Sequence, residues 1–273
     1  MSESVRRVPV RRVSRVGRTG GEDAVAVEEP LEVRLHGSPF AVIMRTPGAD
    51  RELAAGFLHA EGVITSPDDI GAVEHCRHPS QPELHNVVDV FVTAAARARV
   101  QRHLRERRNV TATSSCGLCG RVTIESLERR AAPLAVEWKL PPAVAGRMPQ
   151  WLRARQRLFD DTGGLHAAGL FETGGECLAF AEDVGRHNAV DKVVGRMLMD
   201  ERLPADRAVL AVSGRSSYEI VQKAWIAGVP VVCAVSAPSS LAIDLATAAG
   251  ITLIGFARDG GFNVYAHAAR LEE

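Results

Sequence analysis

Two cysteines stand three residues apart in Thr113-Ser114-Ser115-Cys116-Gly117-Leu118-Cys119-Gly120. The flanking Ser and Gly give a pliable backbone with little apolar surface to bury, an arrangement that presents thiols to solvent, where the thiolate is the nucleophile. Arg121 and the Arg-rich stretch before the loop favour the anion. These residues suit a thiol carrier best. Half of a structural zinc site would need two more ligands, yet there is no second C-x-x-C and Cys76, Cys177 and Cys233 are isolated. A thioredoxin-type pair would open a helix after a strand, which this motif does not do.

A zinc-deaminase pattern is imitated by His59-Ala60-Glu61 with Cys116 and Cys119. Ser115 stands where that pattern has Pro, His59 falls at a helix end, and Gly117 and Gly120 disfavour a helix carrying both cysteines. A third group is polar and dense: Asp160-Asp161-Thr162-Gly163-Gly164-Leu165-His166, and Glu182-Asp183-Val184-Gly185-Arg186-His187-Asn188 with Asp191 and Lys192. At a strand-to-helix junction such residues suit phosphate or sugar recognition, because a helix N-terminus offers N–H groups and partial positive charge. There is no G-x-G-x-x-G and no P-loop, which argues against a Rossmann or Walker nucleotide site.

The elements that must position these groups differ between the two halves. Residues 31–44 read as a hairpin around His36-Gly37-Ser38-Pro39. Asp50 caps a helix to about Glu61 that Gly62 stops, 86–93 alternates as a strand, and 94–108 is an Arg-rich polar helix. This is a small α+β domain, taken as 28–108 and followed by a mobile cysteine loop at 109–121. From 122 onward the rhythm is α/β: a hairpin (165–171 and 176–181), a helix to Met199, strand 207–212, helix 217–227, strand 229–235, helix 239–249 and strand 251–257. Ser216 with Glu219 fits a capping box. Continuous apolar strands point to a parallel sheet covered on both faces, whose ligands bind beyond the carboxyl ends of the strands. Those ends are Ser213-Gly214-Arg215-Ser216, Ser236-Ala237-Pro238-Ser239 and Phe256-Ala257-Arg258-Asp259-Gly260-Gly261.

Composition is that of a globular protein: 273 residues, 46% hydrophobic and 24% charged, with 33 basic residues balancing 33 acidic ones. Zero formal charge argues against nucleic-acid partners, and no apolar run approaches a membrane span. The first 27 residues, with Arg6, Arg7, Arg11, Arg12, Arg15 and Arg18, read as a basic disordered arm. No apolar h-region follows the paired arginines, so a cytoplasmic location is expected, where five cysteines do not make a disulfide scaffold.

Taken in order, these motifs resemble the formate dehydrogenase accessory sulfurtransferases of FdhD type, over about residues 29–267. The resemblance rests on Glu52-Leu53-Ala54-Ala55-Gly56-Phe57-Leu58 with Glu61-Gly62, the Ser115–Gly120 loop, Thr162–Ala168, Glu182–Lys192, Ser213–Ser217 and Phe256-Ala257-Arg258. It implies a sulfur carrier that takes sulfur from a cysteine desulfurase as a persulfide, on Cys116 with Cys119 as the second motif cysteine. The sulfur would pass to the molybdenum (or tungsten) bis-pterin guanine dinucleotide cofactor, a cargo, for the formate dehydrogenase catalytic subunit. It further implies a homodimer, a cytidine-deaminase-like second half and a cofactor-binding segment at Phe256, Ala257, Arg258, Asp259, Gly260 and Gly261. The crevice residues Arg186, His187, Ser213 and Arg215 join that segment as candidate cofactor ligands, Arg186, Arg215 and Arg258 for the phosphates. No resident metal is expected. A non-catalytic cofactor-binding chaperone and a zinc deaminase are the rival readings.

Overall fold

The computed structural model describes residues 4–76, 85–107 and 132–273; Cys116 and Cys119, with the whole loop at 109–121, lie outside them. The described residues form three sheets. Two strands open it, β1 (Val5–Ser14) and β2 (Gly17–Ala26). A four-stranded sheet in the order β4-β3-β6-β5 follows, from β3 (Glu29–Leu35), β4 (Ser38–Arg45), β5 (Ile70–His75) and β6 (Val87–Val92). Helices α1 (Asp50–Ala60) and α2 (Ala94–Arg107) belong to this half. On β3, Leu31, Val33 and Leu35 alternate inward to meet Leu53, Phe57 and Leu58 of α1, the period of two against a helical stripe.

The second half is a six-stranded sheet ordered β12-β11-β10-β9-β7-β8. Its strands are β7 (His166–Glu172), β8 (Cys177–Asp183), β9 (Ala208–Val212), β10 (Val231–Ala234), β11 (Thr252–Arg258) and β12 (Gly261–Ala266). The helices are α3 (Pro142–Arg153), α4 (Arg157–Thr162), α5 (Arg186–Met199), α6 (Tyr218–Ile226) and α7 (Ser240–Ala249). Only β9, β10 and β11 run parallel; hairpins β7–β8 and β11–β12 flank them antiparallel, so the expected parallel sheet is a mixed one. It is three-layered. Leu210 and Val212 face Val190, Val193 and Ile220 on one side, and Val209 and Ala211 face Met148 and Leu152 of α3 on the other. Each buried Val, Leu, Ile or Met among them contributes about 1.5–3 kcal/mol over its exposed state. The α/β fold class and the succession from β7 to β11 are as the sequence predicts.

Helices α1 and α5 cross at Gly56 and Gly195, and the far end of α5 places Leu198 in the core of the first half. The halves are therefore continuous.

Several expectations change. The basic arm is not disordered: β1 and β2 pair antiparallel over ten register pairs, from Val5 opposite Ala26 to Ser14 opposite Gly17. Backbone pairing, half-buried Val5, Val8 and Val10 and packing against α4 hold what a count of apolar residues misses. Asp50 is not the cap of α1. Ala49 takes that position in a left-handed conformation, φ 53°, while Asp50 binds the buried Arg45 at 2.9 Å through both of its oxygens. The Ser216–Glu219 capping box is absent, since Ser217 is the N-cap of α6 and makes no side-chain capping bond. Elements α3, α4, β5 and β12 were not expected; Pro142, Gly146 and Pro149 disguise α3, and Gly71 disguises β5.

Candidate functional site

The carboxyl edge of β9, β10 and β11 carries a row of polar loops, and the turn from β8 into α5 lies at the same edge. Asp183 closes β8 and is wholly buried. Its Oδ1 accepts from the Gly185 N–H at 2.8 Å and the Asn188 amide at 2.9 Å; its Oδ2 accepts from the Thr46 N–H at 3.2 Å and pairs with Lys192 Nζ at 2.7 Å. Lys192 also donates to the Thr46 carbonyl at 2.9 Å and Asn188 to that of Met44 at 2.7 Å. A buried charge persists only with such partners. The network ties residues 44–46, at the end of β4, to the first turn of α5.

Beside it lies a cavity of about 240 Å³ lined by Glu28, Met44, His166, Gly185, Arg186, His187 and Asn188. The cavity thus meets the start of α5, where helix N–H groups favour an anion. Burial, aided by the charge on Arg186, pushes His166 below the ordinary imidazole range, with Asp183 pulling the other way. His187 is pushed down to about 3 by burial and by Lys223, Arg186 and His166. Both rings are therefore neutral near pH 7, leaving Arg186 as the cationic lining group. Arg186 Nε is buried with no hydrogen-bond partner among the described residues.

The next loop follows β9. Ser213 Oγ accepts from the Ala167 N–H at 2.8 Å, a Cβ at Gly214 would sit 3.3 Å from His166 Nδ1, and Arg215 is exposed. The Ser216 carbonyl accepts from the Ser239 N–H at 3.0 Å, and that of Ser236 from the Phe256 N–H at 3.2 Å. A second cavity, about 380 Å³, lies at the β11–β12 hairpin, lined by Phe256, Arg258, Gly261, Phe262 and Asn263. Phe256 is left-handed, φ 53°, and 41% exposed. Asp259 and Gly260 make the turn with positive φ, and the Gly260 carbonyl rests on Gly146 of α3.

Of the predicted ligand set, Arg186 and His187 line the first cavity with Ser213 beside it; Phe256, Arg258 and Gly261 line the second. Ala257 is corrected: its side chain is fully buried in the core with α3, because alternation along β11 turns it inward. His59, the decoy, is buried on α1 with Nδ1 3.0 Å from the Ile64 carbonyl, a core histidine. Glu28, in the link between β2 and β3, and Met44, on β4, were missed, since they are distant in sequence and carry no local signal. His166 and Asn188 were visible as members of the polar group.

The FdhD/NarQ family model matches residues 26–272. A sulfur carrier protein FdhD of Anaeromyxobacter dehalogenans strain 2CP-1 is 52% identical, covering 93% of this chain and 91% of that one. One from Streptomyces coelicolor is 49% identical, covering 91% and 89%. A crystal structure from Desulfotalea psychrophila, assigned as a formate dehydrogenase accessory protein, superposes with a TM-score of 0.77 at 25% identity, covering 98% of this chain and 99% of that one. With a family match that runs through the four-stranded and six-stranded sheets and every loop of the crevice, this chain belongs to the FdhD/NarQ family.

Proposed function

We propose that the protein is a sulfur carrier whose Cys116 accepts sulfur from a cysteine desulfurase and whose carboxyl-edge crevice holds the acceptor, the bis-pterin guanine dinucleotide form of molybdenum or tungsten, as cargo. Two of the three cysteines outside the loop carry the argument. Cys233 is buried, with its thiol pushed up to about 12 by desolvation, and burial raises Cys177 as well. A thiol held protonated neither attacks a persulfide nor carries one, which sets Cys233 and Cys177 aside. Cys76, half-buried after β5, has no second cysteine near it in sequence, so the paired Cys116 and Cys119 are assigned the sulfur chemistry.

Loading is an exchange that balances: the Cys116 thiolate attacks the outer sulfur of the donor persulfide, the inner S–S bond breaks, the donor leaves as thiolate, and Cys116 becomes the persulfide. Cys119 can take the same sulfur by a second exchange. The crevice supplies what a nucleotide diphosphate needs, with Arg186 and the α5 N-terminus at one cavity and Arg258 at the other.

Incubation with a cysteine desulfurase and cysteine should add about 32 Da to the wild-type chain, one sulfur by exchange, and nothing to Cys116→Ala. An unchanged wild-type mass would leave the protein a cofactor-binding chaperone.

A further inference from the structure

Ser217, His187 and Glu219 form a chain that reaches the first cavity through His187 and that the sulfur transfer proposed above does not use. Ser217 Oγ lies 3.0 Å from His187 Nε2, and His187 Nδ1 lies 3.3 Å from Glu219 Oε2. Ser217 is the N-cap of α6, yet its side chain makes no capping bond, although a serine cap is worth about 1 kcal/mol. Its hydroxyl is committed to His187 instead.

We propose that Ser217 is a specificity-determining residue of the crevice: an obligate hydrogen-bond acceptor that selects the N–H donor edge shared by guanine and pterin rings. The inference rests on the crevice being the cofactor site.

The direction of the chain follows from its ends. A carboxylate can only accept, so Glu219 favours the proton on Nδ1. Nε2 is then bare and accepts the Ser217 hydroxyl proton, which leaves only lone pairs on Ser217 Oγ for a ligand. Guanine and pterin present a ring N–H and an amino group on one edge; adenine presents a bare ring nitrogen there.

The same three residue types serve as nucleophile, base and orienting acid in hydrolases. The surroundings exclude that use here. Burial, Lys223 and Arg186, with His166 on β7, push the ring down to about 3, so it keeps its tautomer and removes no proton from Ser217. His187 and Glu219 are positioning residues.

Two measurements test the proposal. In the free wild-type protein, nitrogen-resolved NMR should show His187 neutral with its proton on Nδ1 at pH 7; a ring protonated on Nε2 overturns it. Calorimetric titrations with GDP, ADP and neopterin then separate the sources. Ser217→Ala should weaken either GDP or neopterin about tenfold, the value of one lost hydrogen bond, and leave ADP unchanged. Loss with GDP assigns Ser217 to the guanine, and loss with neopterin assigns it to the pterin. Glu219→Leu, with Ser217 intact, should narrow the same preference by freeing the tautomer. If GDP or neopterin binds the wild type but Ser217→Ala leaves both unchanged, the acceptor role is overturned. If the wild type binds neither, the crevice reading itself falls, and the inference with it.

Discussion

Gly56 of α1 and Gly195 of α5 face each other where the helices cross, so closely that a Cβ on Gly56 would overlap the Asp191 carbonyl and one on Gly195 would overlap that of Glu52. Neither glycine is needed for a positive φ; both are needed for distance. Small residues at a crossing let helix backbones approach, and here the contact joins the two halves.

Gly195→Ala is therefore expected to destabilise by about 1–3 kcal/mol through overpacking. Gly174→Ala, with nothing within 4 Å of its Cβ, should leave the melting temperature close to wild type. Thermal unfolding of both variants checks the contrast.

Lys192→Met strips the buried Asp183 of its charge partner, and breaking such a pair costs about 3–5 kcal/mol. Urea unfolding should show this loss. The double variant Asp183→Asn with Lys192→Met should lose less than the two single losses added, because the two side chains are in direct contact.

Cys233 should resist iodoacetamide at pH 8 in the folded protein and react once urea unfolds it, since its thiol is buried and pushed up to about 12. Peptide mass spectrometry reads the modification. Labelling in the native state would break the argument that assigns sulfur chemistry to the loop cysteines.

Acid sensitivity should pass through His187. Its folded value, about 3, lies below the ordinary 6.5, so between these the unfolded chain binds a proton that the folded chain refuses. Stability from the neutral ring is complete above pH 6.5 and declines as pH falls toward 3. His187→Gln should lose less stability than wild type between pH 6.5 and 4, measured by urea titrations at each pH.

The second half was legible because its periods are unmixed: apolar runs of four to seven residues alternate with helices that bury one face, so β9 to β11 and α5 to α7 fall where pattern places them. The start of α5 was legible as a site because Asp183, Arg186, His187 and Asn188 crowd one turn. The opening hairpin was not, because register pairing is a property of two segments and Arg-rich β1 buries little. Nor was the Asp183–Thr46 contact, which spans 137 positions. Asp50 looked like a cap because its type suits one; a buried arginine five residues earlier claimed it.

Helix α5 begins at the rim where Arg186 and His187 meet the cavity and ends with Leu198 among the side chains of the four-stranded sheet. A rod anchored at both ends transmits tension. Whatever a cargo does to stiffen its first turn is felt by the opposite half, so amide hydrogens of β3 and β6 should exchange more slowly when the crevice is filled.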